Sequence, residues 1–462
     1  MSEPARTAFL AHFSALRDPR QSAKVLYPLP EVLLLLLCAT ISGADDFVEI
    51  TLWGEERLDF LRRFQLYEHG IPSHDTLCDV VAAIDPEMFK ACFLAWVEGL
   101  RGDTPDMIAI DGKTSRRSHA RSKGRLPLHT VSAWASRQRL VLGQEAVAEK
   151  SNEITAIPIL LQRLELAGAL VTIDAMGTQT EIAQTILDGG GDYVLALKEN
   201  WPATYAEVDK TFAVSSPALN IQRSTTVDGD HGRIETRRHA ICHDIDWMLS
   251  DRRYPGELKF PGLAAIGMVE SETERGDKIE RQKRYYLCST KLDVETFARV
   301  VRGHWGIENR LHWVLDVVFR DDLARLRSGH GPANMAVIKH TALNLLTQAK
   351  PITSLKNRRK KAGWNQDYLL NVVTGTAYVI QAIPLEMTPQ AIAASTHSVA
   401  LTGNCSRRID RLIAGGDCRA CPAKPYAAPF GAPVAHVPRS TRVYHTPPLC
   451  GHALGRLLWQ RP

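Results

Sequence analysis

Met107-Ile108-Ala109-Ile110-Asp111-Gly112-Lys113 runs from four apolar residues into an acid, a glycine and a base. A short apolar run of this kind reads as a buried strand. Ala169-Leu170-Val171-Thr172-Ile173-Asp174-Ala175 repeats the pattern, mostly apolar and then an aspartate. A carboxylate at the end of such a strand stands at the rim of a sheet, where α/β folds build their sites. Two of them on neighbouring strands can share a divalent cation. Breaking or joining a phosphodiester needs an activated oxygen nucleophile and a stabilised leaving oxygen, and two metal ions about 4 Å apart supply both. Taken singly, each aspartate is an ordinary turn or cap residue, and Asp-Gly is a frequent turn pair. A third acid decides between these readings.

Working outward, His129 to Ala135 and Leu140 to Ala148 read as two more strands. Ser151 opens a helix with Glu153 near its start, running to about Leu166. Glu181 to Leu187 reads as a helix ended by the glycines at 189–191, and Asp192 to Leu197 as a strand closed by Lys198. Adjacent strands followed by strand–helix–strand units indicate a mixed α/β sheet. The segment from about 203 to 283 reads as a partly β insertion, with Arg233 to Ile241 as one strand-like piece. Tyr285 to Ser289 then reads as a strand, Val294 to about Phe319 as a long helical region containing Gly303 and Gly306, and Asn334 to Thr347 as a helix.

The third acid lies in His304-Trp305-Gly306-Ile307-Glu308-Asn309-Arg310-Leu311-His312-Trp313. Helical residues four apart share a face, so His304, Glu308, His312 and Asp316 are expected on one side. A polar stripe is costly unless it faces a site or solvent. Three readings stay open: a solvated face over packed tryptophans, a zinc site of His304, Glu308 and His312, or a third carboxylate joining the aspartate pair. Against zinc, the glutamate lies between the histidines. Lys113, Arg116, Arg117, Arg121, Lys123 and Arg125 follow Asp111 without an intervening acid. Lys356, Arg358, Arg359, Lys360 and Lys361 form a second basic run. DNA affinity is mostly phosphate neutralisation, which favours cations beside the site. The plainer meaning of such runs is a solvated charge face, and the second run serves equally well as a tether.

The chain has 462 residues, a formal charge of +5 and 45% hydrophobic residues, which suits more than one ordinary domain with a packed core. Residues 1–102 read as a helical bundle. Leu33 to Leu37 are five consecutive leucines in an apolar run of about ten residues, too short for the roughly 20 that span a bilayer. It is expected as a buried helix, started by Pro28 and Pro30. No membrane or export signal is read, and nine scattered cysteines fit a reducing, cytoplasmic setting. Cys418 and Cys421 form a single CxxC, with Cys405 upstream and no second pair for zinc. Residues 351–375 read as a basic segment. The stretch 376–462 is rich in Ala, Pro and Arg and reads as a weakly structured tail foreign to the rest.

These segments resemble the DDE transposases of bacterial insertion sequences, in the group that includes the H-repeat-associated proteins (the ISAs type). The matching stretches are GIPSHDTL at 70–77, IAIDGKTSRRS at 108–118, VTIDAMGTQTEIA at 171–183 and DYVLALKEN at 192–200. HWGIENRLHWVLDVVFRDD at 304–322, NMAVIKHTALNLL at 334–346 and RRKKAGWNQDYLL at 358–370 continue them, so the resemblance covers roughly residues 8 to 372. It implies a ribonuclease H-like α/β catalytic core at 103–350, with the insertion inside it and the helical domain 1–102 before it. Asp111, Asp174 and Glu308 would be the catalytic acids and metal ligands, using Mg2+, with Mn2+ able to substitute. Such enzymes cut transposon ends with water and join the freed 3′ hydroxyl to target DNA. The expected partners are those DNAs and a second copy of the chain, in a cytoplasmic, nucleoid-associated setting. Lys113, Arg116, Arg117, Arg121 and Lys198 are expected to contact DNA. Related transposases carry a tyrosine, an arginine and a lysine around the last acid where this chain has Val301, His304 and Leu315, so His304, Asn309 or His312 would stand in for them. Two rival readings remain: an inactive transposase-derived DNA-binding protein, and a nuclease of the same fold without strand transfer.

Overall fold

Pro28 caps and Pro30 opens the helix that carries the leucine run, since proline fits the first helical turn, where its missing N–H costs nothing. In the computed structural model, which describes residues 8–102, 104–119, 124–148, 151–214, 219–230, 233–250, 259–275, 278–349 and 353–375, that helix is buried on every side. Arg121, Lys123, Cys405, Cys418, Cys421 and the stretch 376–462 lie outside the described residues. The N-terminal helices are α1 (Ala8–Phe13), α2 (Leu29–Ser42), α3 (Phe47–Glu56), α4 (Leu58–Leu61), α5 (His74–Ala83) and α6 (Pro86–Glu98). Leu33 to Leu37 on α2 are each at most 2% exposed, and full burial of such a side chain contributes about 1.5–3 kcal/mol. Asp46, Ser73 and Asp85 cap α3, α5 and α6 with their side chains, each accepting from a backbone N–H of the first turn. The periodicity of 45–64 suggests one helix, but the chain breaks at Arg57, and Leu52 faces outward.

From Met107 the chain builds one sheet. Its elements are β1 (Met107–Ser115), β2 (Leu128–Ala135), β3 (Leu140–Ala146), α7 (Glu153–Leu161), β4 (Leu170–Ile173), α8 (Thr180–Asp188) and β5 (Asp192–Leu197). There follow α9 (Pro202–Ala213), β6 (Ile221–Asp230), β7 (Arg233–Cys242), α10 (Asp246–Leu249), β8 (Ala265–Arg275) and β9 (Lys278–Cys288). The described residues end with α11 (Val294–His304), α12 (Trp313–Val317), α13 (Gly331–Gln348), α14 (Leu355–Trp364) and α15 (Gln366–Thr374). The strand order is β3-β2-β1-β4-β5-β9-β8-β7-β6. The first three strands form an antiparallel meander, β4 and β5 run parallel to β1, and β9 returns antiparallel to β5. The segment read as a partly β insertion therefore extends the same sheet. The strand expected at 285–289 is the end of the longer β9, which pairs with β5 through Tyr285 to Cys288.

Helix α13 joins the helical layer to the sheet, packing against α2, α5, α6 and β3. Its two buried asparagines bond backbone groups of those neighbours. Asn334 Nδ2 donates to the carbonyls of Val81 and Ile84 at 2.8 and 2.9 Å. The Asn344 amide accepts from Val141 N–H at 2.8 Å and donates to its carbonyl at 2.9 Å, satisfying backbone groups on the outer edge of β3, which is buried. The second basic run is partly structural. Arg358 bonds the carbonyls of Leu346, Thr347 and Ala349 near the end of α13. Arg359 is buried, bonded to the carbonyls of Thr40, Ala44 and Val318, and paired with Asp45 at 2.8 Å.

Candidate active site

β1 and β4 pair in parallel from Met107 opposite Leu170 to Ile110 opposite Ile173, and there the pairing stops. The next residue on each chain is an aspartate, Asp111 and Asp174, so both stand at the carboxyl edge of the parallel strands. Asp111 does not end its strand, as its sequence suggests. β1 continues to Ser115 against β2, with Asp111 opposite Ser132, and Asp111 marks where the parallel neighbour leaves.

Gly112 is accordingly no turn residue. A Cβ there would lie 2.1 Å from Glu153 Oε1 and 2.9 Å from His129 Nε2. The missing side chain lets the Glu153–His129 pair, 2.7 Å apart, pack behind Asp111. Thr114 Oγ1 lies 2.7 Å from the other ring nitrogen of His129 and fixes its orientation. In sequence, Glu153 is only an acid near a helix start.

Glu308 arrives on an irregular helix. After α11, residues Glu308–His312 form a π-helical turn that leads into α12. Bonding from i to i+5 places an extra residue in the turn, so side chains before and after it do not continue one straight stripe. His304 Nδ1 meets Thr172 Oγ1 on β4 at 2.9 Å, and Asp316 meets Lys113. Glu308 and His312 turn to Asp111 instead, and ligand atoms of these three residues all lie within 4.8 Å of one another. His304 is not among them, so the set His304, Glu308 and His312 proposed for zinc is not assembled. Asp174 lines one cavity of about 220 Å³ with Asp111 and Glu308. Its Oδ1 accepts from the N–H groups of Met176 and Gly177 at 3.0 and 3.2 Å, which fixes the carboxylate at the rim.

Burial pushes the Asp111 carboxyl up to about 7, opposed by the Gly112 N–H and reinforced by the charges of Asp174, Glu153 and Glu308. The charges that raise it are negative, an effect a divalent cation would reverse. The donors are hard carboxylate oxygens with one imidazole nearby, a set that fits such an ion. Burial, together with nearby cations, also pushes His304 and His312 down to about 4, so both rings are neutral at neutral pH.

Lys113 is held by acids outside the candidate triad. Its ammonium lies 2.6 Å from Asp316, 3.4 Å from Asp321 and 3.5 Å from Asp322, and its side chain is 10% exposed. Asp321 is also bound by Lys339 at 2.7 Å and by the Ser115 hydroxyl at 2.6 Å. Arg116 and Arg117 are exposed past this cluster. Lys198, Arg284 and Trp305 line the cavity beside the acids. A neighbouring cleft of about 430 Å³ shares Arg284 and Trp305 and adds Arg233, Arg237, Arg302 and Asn309. The Arg284 guanidinium lies 4.6 Å from the centre of the Trp305 ring, a cation–π contact at the cavity mouth. Sequence reasoning missed Arg284 and Arg302, because only the pairing of β9 with β5 brings Arg284 to the site. Val301 and Leu315 are buried and apolar. Among the described residues no helix is long and apolar enough to cross a membrane.

A family model described as "Transposase DDE domain" matches residues 77–345, and one described as "DDE_Tnp_1-associated" matches residues 10–97. The chain is 38% identical over 374 residues to "H repeat-associated putative transposase YhhI" of Escherichia coli (strain K12), covering 79% of this chain and 98% of that protein. It is 37% identical over 374 residues to "Putative protein YbfL" of the same strain, with the same coverage. Among solved structures it is similar to a piggyBac transposase synaptic complex with hairpin DNA, at 10% identity and a TM-score of 0.36, covering 88% of this chain and 84% of that one, a likeness too slight to bear on the fold. The chain belongs to the family of transposases that carry a DDE domain.

Proposed function

We propose that the protein cuts DNA at the ends of an insertion sequence and joins the freed 3′ hydroxyl to target DNA, with Asp111, Asp174 and Glu308 holding the divalent ions. The observation that carries this reading is the convergence of the three acids in one cavity that opens beside an arginine-lined cleft. The meander β3-β2-β1, continued by the parallel β4 and β5, supports a ribonuclease H-like core. Residues 1–102 are then its associated helical domain. When bound, a divalent ion pair, Mg2+ or Mn2+, would supply an activated oxygen nucleophile and a stabilised leaving oxygen.

The chain's own residues do the rest. Lys198 and Arg284 neutralise the phosphate at the cavity, and Arg302, Arg116, Arg117 and Arg121 carry the flanking backbone. Asn309 lines the same cleft. His304, bonded to Thr172, holds the helix of Glu308 against β4. Lys113 and His312 leave the DNA-contacting set, the first because three aspartates already neutralise it and the second because it is buried. Two ends must be brought together, which calls for two copies of the chain acting at the nucleoid.

The test is incubation with DNA carrying the element's own flanking ends, with magnesium or with chelator. Magnesium-dependent cleavage and joining supports the proposal. Binding without cleavage would replace it with the DNA-binding reading, and cleavage without joining with the nuclease reading.

A further inference from the structure

We propose that His312 is a nitrogen ligand of the same cation site, giving it a mixed oxygen–nitrogen donor set that raises its preference for Mn2+ over Mg2+. The inference rests on the metal-dependent reading above and adds a residue to it. His312 is 7% exposed, so DNA does not reach it. Its Nε2 is buried with no hydrogen-bond partner among the described residues. Its Nδ1 lies 3.5 Å from Asp111 Oδ2, beyond the usual hydrogen-bond range. Hydrogen bonding therefore does not account for a buried imidazole at this place.

Ligation does account for it. Metal–ligand bonds of about 2.0–2.3 Å set two donors on one ion about 3–4.5 Å apart. The Asp111–His312 contact falls in that span, and the donor atoms of Asp111, Glu308 and His312 all lie within 4.8 Å of one another. The π-helical turn begins at Glu308 and ends at His312, the two of its residues whose ligand atoms gather with Asp111. Turns of this kind recur at functional sites because they re-aim side chains a regular helix would point elsewhere. Imidazole binds Mn2+ and the later divalent metals more readily than Mg2+, whereas carboxylates serve both.

The experiment uses full-length protein with Mn2+ as the probe, read by pulsed electron paramagnetic resonance and by calorimetric titration. Wild type is expected to show an imidazole nitrogen coupled to bound Mn2+. His312→Gln is expected to lose that coupling and to bind Mn2+ about tenfold or more weakly, with a smaller change for Mg2+. Protein labelled with 15N-histidine answers the same question without a variant, should His312→Gln fail to fold. Mn2+ bound in an Asp111-dependent way with no nitrogen coupling would overturn the ligand and leave the metal site standing. Coupling that persists in a folded His312→Gln protein would overturn it as well. Absence of any Mn2+ binding would overturn the metal-dependent reading itself.

Discussion

The Lys113 ammonium lies 2.6 Å from Asp316 Oδ1, and this ion pair ties the strand of Asp111 to the helix that follows Glu308. Asp321 and Asp322 close around the same ammonium. Breaking a buried pair by removing one partner costs about 3–5 kcal/mol, because the other charge is left uncompensated. Lys113→Met is expected to lower stability by about that amount in denaturant titration and to depress cleavage. The salt dependence of DNA binding should stay unchanged, and a drop in slope of about one unit would make Lys113 a phosphate contact after all.

Arg116 gives the contrasting case. Its side chain is 81% exposed beside Asp322, and Arg117 is exposed next to it. The double change Arg116→Gln and Arg117→Gln is expected to weaken DNA binding and to flatten the plot of log affinity against log salt by up to about two units, roughly 0.9 per phosphate contact. Thermal stability should not move. An unaltered slope removes both residues from the interface.

Asp111→Asn, Asp174→Asn and Glu308→Gln are each expected to abolish cleavage while DNA binding is retained. Each acid would hold a cation worth several kcal/mol to the transition state, on the order of a thousandfold in rate. Near-normal cleavage by any one variant, in a gel assay with magnesium, would remove that residue from the set.

Asp321 sets an acid limit on stability. Burial alone would raise its pKa, but Lys339, Lys113 and the hydroxyl of Ser115 overcome burial and hold the carboxyl well below the usual range. A carboxyl depressed in the folded state adds stability above its unfolded pKa of about 4, and that stability is lost as the pH falls below it. Asp321→Asn is therefore expected to destabilise the protein at neutral pH by about 3–5 kcal/mol, leaving the Lys339 ammonium buried without its partner. The variant's stability should then fall less steeply than wild type between pH 4 and 2. Parallel acid limbs in urea titrations of the two proteins would contradict the assignment.

Arg359 and Lys360 are neighbours in one basic run, yet the first is buried on three carbonyls and the second is exposed. Arg359→Met is expected to cost about 3–5 kcal/mol, through Asp45 and the orphaned carbonyls. Lys360→Met should stay within about 0.5 kcal/mol. Equal effects in a denaturant titration would mean that the run acts as one surface.

Much of the architecture was legible because its signals are local. The apolar runs at 107–110 and 170–173 bury themselves wherever the chain places them, and an acid that follows such a run falls at a sheet edge. The leucine run with its prolines is a buried helix for equally local reasons. What stayed hidden depends on partners remote in the chain. Asp111-Gly112 has the sequence of a turn, but Gly112 is small because Glu153 needs its space. The histidine stripe assumed a regular helix, whereas His304 at the end of α11 meets Thr172 and His312 at the end of the π-helical turn lies beside Asp111.

The sequence by itself determined the strands β1 to β5 in outline, the leucine-rich helix, the acids that follow two of the apolar runs, and the family to which the chain belongs. Tertiary structure alone decided which charges meet. Lys113 is bound by acids about two hundred positions away, and Arg284 reaches the site only because β9 pairs with β5. The reason is physical. Burial and backbone geometry act over a few residues and leave a periodic trace in the sequence, whereas an ion pair depends on distance in space and on exclusion of water, and residue order encodes neither.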